Sequence, residues 1–488
     1  MQEVRMQTAS PPIRRRYTLH ALVAAWVLAF LVATFSSGLT AHAASVTPSK
    51  SKSAGDWTTY LYDKNHSGYN SAEKIITPGS AKNLKQHWMF SGTNTISTQP
   101  IVANGLVYWG AWDGNEYARH LDGSQAWTTF IGKTTDPSCG GGTLGVLSTG
   151  TVAKVKSGGK TTSMLLVGGG DAQFYALNAN TGAILWKTRL GSSPDNIIWA
   201  SPAYYQGSIY IALASFGDCP LVQGKVFKLN ASNGTIQNTF NVVPNGCTGA
   251  GVWGSVTIDE NANSLYFATG NGNVCGQSEP YAESIVKLKT SDLSVVSSWQ
   301  VPKSQQVSDG DFGSTPTLFS ATINGSVHKL VGVGNKNGFY YAFDRTNLSK
   351  GPVWEDQVAI GGSGPEGGQG TISPSAWDGK MLYVGGGNTT IKGQSCQGGL
   401  RAVNPATGAY IWENCLTDGP AIGAVSVVPG VVAIGEGTAI DLIAAADGSN
   451  LFKAWDKSGQ SKYYGAASIS HGVLYIGNKD GNFYAYGT

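Results

Sequence analysis

The chain has 488 residues, of which only 13% are charged, with Lys+Arg 33 against Asp+Glu 30. The formal excess of +3 lies in Arg5, Arg14, Arg15 and Arg16 set against Glu3. Residues 44 onward are therefore neutral, which argues against the basic face that nucleic-acid binding requires.

The first 43 residues read as a secretory signal. Arg14-Arg15-Arg16 forms the basic region, residues 19–35 an apolar run, and Ala41-His42-Ala43 a small-x-small cleavage pattern. An uncleaved anchor is the alternative, although the run is short for a span of about 20 residues. The expected product is an exported protein with no stable membrane span after cleavage. Residues 44–55 are small and polar without apolar period, which predicts a flexible linker. Residues 56–488 are then expected to be one domain, although length alone would permit two.

Glycine is abundant, at 66 residues, and short strands recur with turns between them. That pattern is all-β. A repeat is clearest at 163–187 (SMLLVGGGDAQFYALNANTGAILWK): strand, Gly/Asp turn, strand, Asn-Thr-Gly turn, and a third strand carrying Trp186. It recurs at 106–127, at 381–412 with an insertion, and at 473–486, where the chain stops before the third strand. Weaker copies occupy 208–240, 264–299, 327–354 and 431–455. A further strand precedes each copy, from 99–102, 150–153, 200–204 and 254–258 through 314–318, 372–376, 424–428 and 466–470. Four short strands at a period of roughly 35–60 residues are the signature of a β-propeller. Eight copies predict eight blades, packed radially because no single sheet can bury both faces. The last copy lacks its outer strand, and 83–88, with Trp88, would supply it and close the ring. Trp88, Trp127, Trp186, Trp299, Trp354, Trp412 and Trp455 recur with the repeat and are expected to pack between blades.

Six cysteines in an exported chain suggest disulfides. Proximity favours Cys219–Cys247 and Cys396–Cys415, leaving Cys139–Cys275. The absence of C-x-x-C and C-x-x-C-H argues against a zinc knuckle and a covalently attached haem.

Three stretches could carry chemistry. Residues 251–271 (GVWGSVTIDENANSLYFATGN) form a hairpin with Trp253 at its start and Asn271 at its end. Trp253, outside the recurrent set, offers a flat face to a planar ligand or plugs the channel as a core ring. Asp309 and Asp311, in S-D-G-D-F-G, are hard oxygen donors suited to Ca²⁺ or to general-base work, or an ordinary Asp/Gly turn. Lys336, in G-N-K-N-G-F-Y-Y-A-F-D-R, could polarise a carbonyl oxygen or be a solvated turn residue.

Taken together, these motifs resemble the pyrroloquinoline-quinone (PQQ) dehydrogenases, closest to the polyvinyl-alcohol-dehydrogenase-like and quinoprotein alcohol dehydrogenase groups. The N-terminal Asp56-Trp57 … Tyr60 … Asp63 … His66-Ser67-Gly68-Tyr69-Asn70 is similar to the family's opening, and the resemblance covers nearly all of the mature chain. It implies that Trp253 is the floor under the quinone, that Asn271 is a Ca²⁺ ligand, and that Asp309, or Asp311, takes the alcohol proton. Lys336 would hydrogen-bond the quinone oxygens, and Asp309 and Asp311 would also face the metal. The family's Glu ligand falls near Asp218, a shorter carboxylate. Its cap of adjacent cysteines falls at Cys139-Gly140, so that cap is absent or different. The implied activity is alcohol oxidation by hydride transfer to PQQ with Ca²⁺ or a lanthanide, the electrons passing to a separate acceptor such as a cytochrome c or a quinone. A non-catalytic propeller serving as a protein-binding scaffold is the competing expectation. A hydrolase or lyase has no His-centred motif to support it.

Overall fold

The computed structural model describes residues 55–273 and 275–488. The expected signal at 1–43 and the expected linker up to residue 54 lie outside the described residues. Seven four-stranded antiparallel sheets and one of five strands make an eight-bladed propeller. Blade 1 runs through Ile101–Ala103, Leu106–Gly110, Asn115–His120 and Gln125–Phe130. Blade 8 holds Ser468–Ser470, Val473–Gly477 and Phe483–Gly487, and its outer strand is Lys85–Phe90 from the other end of the chain. Lys85 pairs with Gly487 and Phe90 with Phe483, so the ring closes as the repeat predicts and leaves no unpaired edge there. Among the described residues no helix is long and apolar enough to cross a membrane.

Core residues of each blade alternate between its two faces and mesh with the next blade. The outer strands are locked by tryptophan. Trp88, Trp127, Trp186, Trp354 and Trp412 lie against the turn glycines Gly123, Gly182, Gly234, Gly408 and Gly448 of the following blade, where any Cβ would come within 3 Å of the ring. These glycines hold φ near +75° (Gly123, +88°), so both the backbone and the ring above it demand glycine. The indole N–H of Trp127 donates to Ala179 O at 3.0 Å, and that of Trp412 to Ala445 O at 2.9 Å. Trp299 also packs between blades, on Tyr341 and Phe343. Trp455 does not: it is 48% exposed and donates to Asp418. Phe452, opposite Leu442, fills the place facing Tyr486 of blade 8.

The innermost strands begin later than the sequence pattern suggests, at Ile101, Ala203, Thr257, Thr317 and Ala376. The preceding residues converge on the axis, where ladder pairing gives way to side-chain bonds between blades. Gln99 N–H donates to Thr149 Oγ1 at 2.8 Å, Thr149 N–H to Ser201 Oγ at 3.1 Å, Ser201 N–H to Ser255 Oγ at 2.8 Å and Ser255 N–H to Thr315 Oγ1 at 2.9 Å. Trp253 therefore stands on an axial approach to a strand and not within one.

One end of the axial channel is stitched by residues 57–70. Their carbonyls accept from Val102, Val152, Ile258, Leu318, Trp377 and Val427, in blades 1, 2, 4, 5, 6 and 7. Asn70 Nδ2 donates to Ile469 O of blade 8 at 2.9 Å, and Lys64 lies over the Tyr205 ring of blade 3.

The disulfides are Cys139–Cys219, Cys247–Cys275 and Cys396–Cys415. Only the last follows sequence proximity; Cys219–Cys247 and Cys139–Cys275 do not form. Loop 216–224 of blade 3 leans on the connector after blade 1. Residues 247–250 instead pair with the segment around Asn271, through Ala250 N–H to Asn271 O at 2.7 Å and a Gly249–Gly272 bridge.

Candidate functional site

Blades 3, 4 and 5 bring six of the seven expected residues to one axial site. Asp218 comes from the loop between Ser208–Ser215 and Lys225–Asn230. Trp253 and Asn271 flank the hairpin Thr257–Asp259 and Ser264–Ala268. Asp309 and Asp311 precede Thr317–Ile323, and Lys336 sits in the turn before Phe339–Asp344. The seventh, Cys139, does not line the cavity. It is bonded to Cys219 and packs on the same buried cluster, Leu144, Leu147, Ile197 and Phe216, as Trp112 and Trp199, which do line the cavity.

Lys336 is the centre of the site. Its ammonium donates to Asp309 Oδ2 at 2.9 Å and Asp311 Oδ2 at 2.7 Å, and lies 5.5 Å from the Trp253 ring centroid. Asp311 is buried, and its other oxygen accepts the Asn271 amide at 2.7 Å. Carboxylate oxygens of Asp218, Asp309 and Asp311 lie within 4.8 Å of one another. Asp218 and Asp309 hold left-handed backbone, at φ +60° and +55°, a conformation that costs energy outside glycine and clusters at functional sites.

Glu283 is a fourth carboxylate that the sequence did not reveal. It opens an ordinary-looking strand, yet its φ is +43° and its Oε2 is buried without a partner. A Cβ at Gly310 would meet that oxygen at 3.0 Å, which places the Glu283 carboxylate behind the Asp309–Asp311 turn. Burial, then Asp311 and Asp309, push its carboxyl up to about 7. Burial also raises Asp311 to about 6, against the pull of Lys336 and helped by Asp309. Asp218 is raised by burial and by Asp309. Burial would lower the Lys336 ammonium, but Asp311 and Asp309 together hold it above its usual range.

Two adjoining cavities, of about 340 and 280 Å³, share Trp199, Trp253 and Lys336. The larger is also lined by Tyr60 and Trp112, the smaller by Phe216, Asp218, Asn271 and Asp311. Trp199 occupies the position of Trp253 one blade earlier, and alignment of Trp199-Ala200-Ser201 on Trp253-Gly254-Ser255 would have found it.

The donor set fits a hard cation. Asp309 and Asp311 share one ammonium with Asp218 and Glu283 close by, Asp309 Oδ1 and Glu283 Oε2 are buried without partners, and the Asn271 side-chain amide makes no hydrogen bond among the described residues. Such excess oxygen charge suits Ca²⁺ or a more highly charged ion. The aromatic walls suit a flat ring. A Cβ at Gly313 would lie 2.1 Å from Trp253 Cη2, so glycine there makes room for the indole.

A family model described as outer membrane protein assembly factor BamB matches residues 122–280 and 299–487, and one described as glucose/ethanol/alcohol dehydrogenase, beta-propeller domain, matches residues 228–362. The chain is 23% identical over 447 residues to polyvinylalcohol dehydrogenase of Sphingopyxis sp. (strain 113P3), covering 80% of this chain and 65% of that protein. It is 26% identical over 336 residues to quinohemoprotein alcohol dehydrogenase of Comamonas testosteroni, covering 60% of this chain and 45% of that protein. The crystal structure of the Comamonas testosteroni enzyme superimposes with a TM-score of 0.68 at 18% identity, over 89% of this chain and 80% of that one. The chain thus spans under two thirds of the length of either curated relative.

Proposed function

The chain belongs to the family of PQQ-type β-propellers that includes the PQQ-dependent dehydrogenases, and from that membership we propose that it is an exported quinoprotein that oxidises an alcohol. When bound, pyrroloquinoline quinone supplies the hydride acceptor, and Ca²⁺ or a lanthanide the Lewis acid that polarises it. Trp253 would support the quinone's flat face, and Lys336 would donate a hydrogen bond to its oxygens. Asn271, Asp218 and the Asp309–Asp311 pair would hold the metal.

Asp309 is the better base of the two aspartates. Its Oδ1 is without a partner, whereas both oxygens of buried Asp311 are taken, by Lys336 and by the Asn271 amide. Asp309 would accept the hydroxyl proton as the carbon gives up hydride. Asp311 would fix Lys336 and Asn271 relative to each other. Electrons would leave to a separate acceptor such as a cytochrome c or a quinone.

The observation that carries this reading is the Lys336-bridged aspartate pair beside Trp253, with unpartnered carboxylate oxygens around it. The test is to load the purified chain with PQQ and Ca²⁺ and follow dye reduction with primary, secondary and polymeric alcohols. Asp309→Asn is expected to lower kcat by 10²-fold or more, the order of a lost general base, while leaving the melting temperature in place. Absence of both dye reduction and a thermal shift on adding PQQ would defeat the proposal.

A protein-binding scaffold is the second reading. It is favoured by the BamB-type model, which matches more of the chain than the dehydrogenase model does. A scaffold gives no account of two aspartates sharing one axial lysine with Asp218 close by.

A further inference from the structure

We propose that the Cys139–Cys219 disulfide is a positioning device for the candidate cation site, holding loop 216–223 so that the Asp218 carboxylate faces Asp309 and Asp311. The inference rests on the cation site proposed above and concerns how this chain replaces a longer ligand with a shorter one.

The middle of the loop, around Asp218, has little else to hold it. The loop's two ends are held: Phe216 is packed in a buried cluster and its N–H donates to Asp195 O at 2.9 Å, while Val222 N–H donates to Ser215 Oγ at 3.1 Å, Val222 O accepts Gly249 N–H at 3.0 Å and Gln223 Nε2 donates to Val243 O at 2.9 Å. Between them the amides of Gly217, Asp218, Cys219 and Leu221 donate no hydrogen bond among the described residues, and neither does the Asp218 side chain accept one. Asp218, whose carboxylate lines the smaller cavity, is held in the left-handed region at φ +60°. A residue in that conformation persists only where its surroundings over-determine it. The disulfide at the next residue is the one strong constraint in reach.

The other end of the disulfide is anchored. Cys139 ends the turn Pro137–Cys139, whose cap Asp136 is fully buried and accepts Ser138 N–H at 2.8 Å. The flanking strands Thr134–Asp136 and Gly142–Leu144 pair with each other, and Thr134 Oγ1 donates to Gly170 O of blade 2 at 2.7 Å. The bond thus carries the rigidity of blade 2 across a sequence separation of 80 into a loop of blade 3. Asp218 is a shorter side chain than glutamate, so its reach toward Asp309 and Asp311 depends on where its backbone is pinned.

The other disulfides serve as comparators. Cys247–Cys275 joins segments that backbone bonds already hold around Asn271. Cys396–Cys415 lies in blade 6, which contributes no ligand to the site.

The experiment is a Tb³⁺ titration of the purified, quinone-free chain, read by luminescence sensitised through the cavity tryptophans, with folding checked by circular dichroism. Native protein is expected to bind Tb³⁺. Cys139→Ser/Cys219→Ser should raise Kd about 10- to 100-fold, the range for loss of a group that orients a metal ligand. Asp218→Asn should do the same, and combining it with the cysteine pair should add little, because both act through one carboxylate. Cys396→Ser/Cys415→Ser should leave Kd unchanged. If native protein ignores Tb³⁺, the cation site itself is wrong. If native protein binds and the Cys139/Cys219 variant binds equally well, the positioning role is overturned and the cation site stands. Should that variant fail to fold, the same titration on native protein, mildly reduced and alkylated, decides between these outcomes.

Discussion

Single side chains in this propeller are set as much by burial as by partner. Glu436 is fully buried beside Asp441 and Lys453 in blade 7, and burial, then Asp441, push its carboxyl up to about 9. Its folded value thus lies above its unfolded one, so the folded chain binds more protons. Stability from this group is present below the unfolded carboxylate range and is lost as pH rises from about 4.5 toward 9. Asp441, raised to about 6, has the same sign. Glu436→Gln is therefore expected to flatten the fall in denaturation midpoint between pH 5 and 9, measured by urea melts at several pH values. An unchanged slope would show that Glu436 is ionised throughout. Trp253, Asn271, Asp309 and Lys336 could be picked out from sequence because their types and order match a family pattern. Glu283 could not: its distinction is a backbone conformation and an unpartnered oxygen, neither of which has a sequence signal.

Among the elements, the four-strand unit was legible because strand, glycine turn and tryptophan recur together. Its inner boundary was not, because the alternating pattern continues past the point where Ser and Thr side chains replace the ladder. Trp455 misled because it lies three residues past the repeat's register: opposite the residue before the same bulge stand Trp127, Trp186 and Trp412 in blades 1, 2 and 6, and Phe452 in blade 7. The two kinds of tryptophan should separate in stability measurements. Trp127→Ala removes a buried ring and its bond to Ala179 and is expected to cost about 3–5 kcal/mol. Trp455→Ala, at an exposed site, should cost within about 1 kcal/mol. Equal losses in guanidinium denaturation would contradict the distinction.

For the molecule as a whole, ring closure was readable from one missing strand at the C-terminal end and one spare strand near the N-terminal end. Disulfide connectivity was not readable, because the cysteine loops lean toward neighbouring blades and not along the chain. Deleting residues 56–90 removes both the closing strand and the stitch across the axis. The truncated chain is expected to expose the edge of Phe483–Gly487 and to associate, seen as a shift to larger species in size-exclusion chromatography. A monomer of native stability would refute the structural role given to this segment.

The stitch from Trp57 to Asn70 also constrains the order of events during synthesis. Asn70 bonds to Ile469 across a separation of 399 residues, and Trp57 to Val102 within the first blade. The segment that emerges first therefore cannot complete its contacts until the last blade exists. Contacts of such high order are slow to form and leave unpaired strands exposed meanwhile. A chain built this way gains from being kept extended until its last blade has been made.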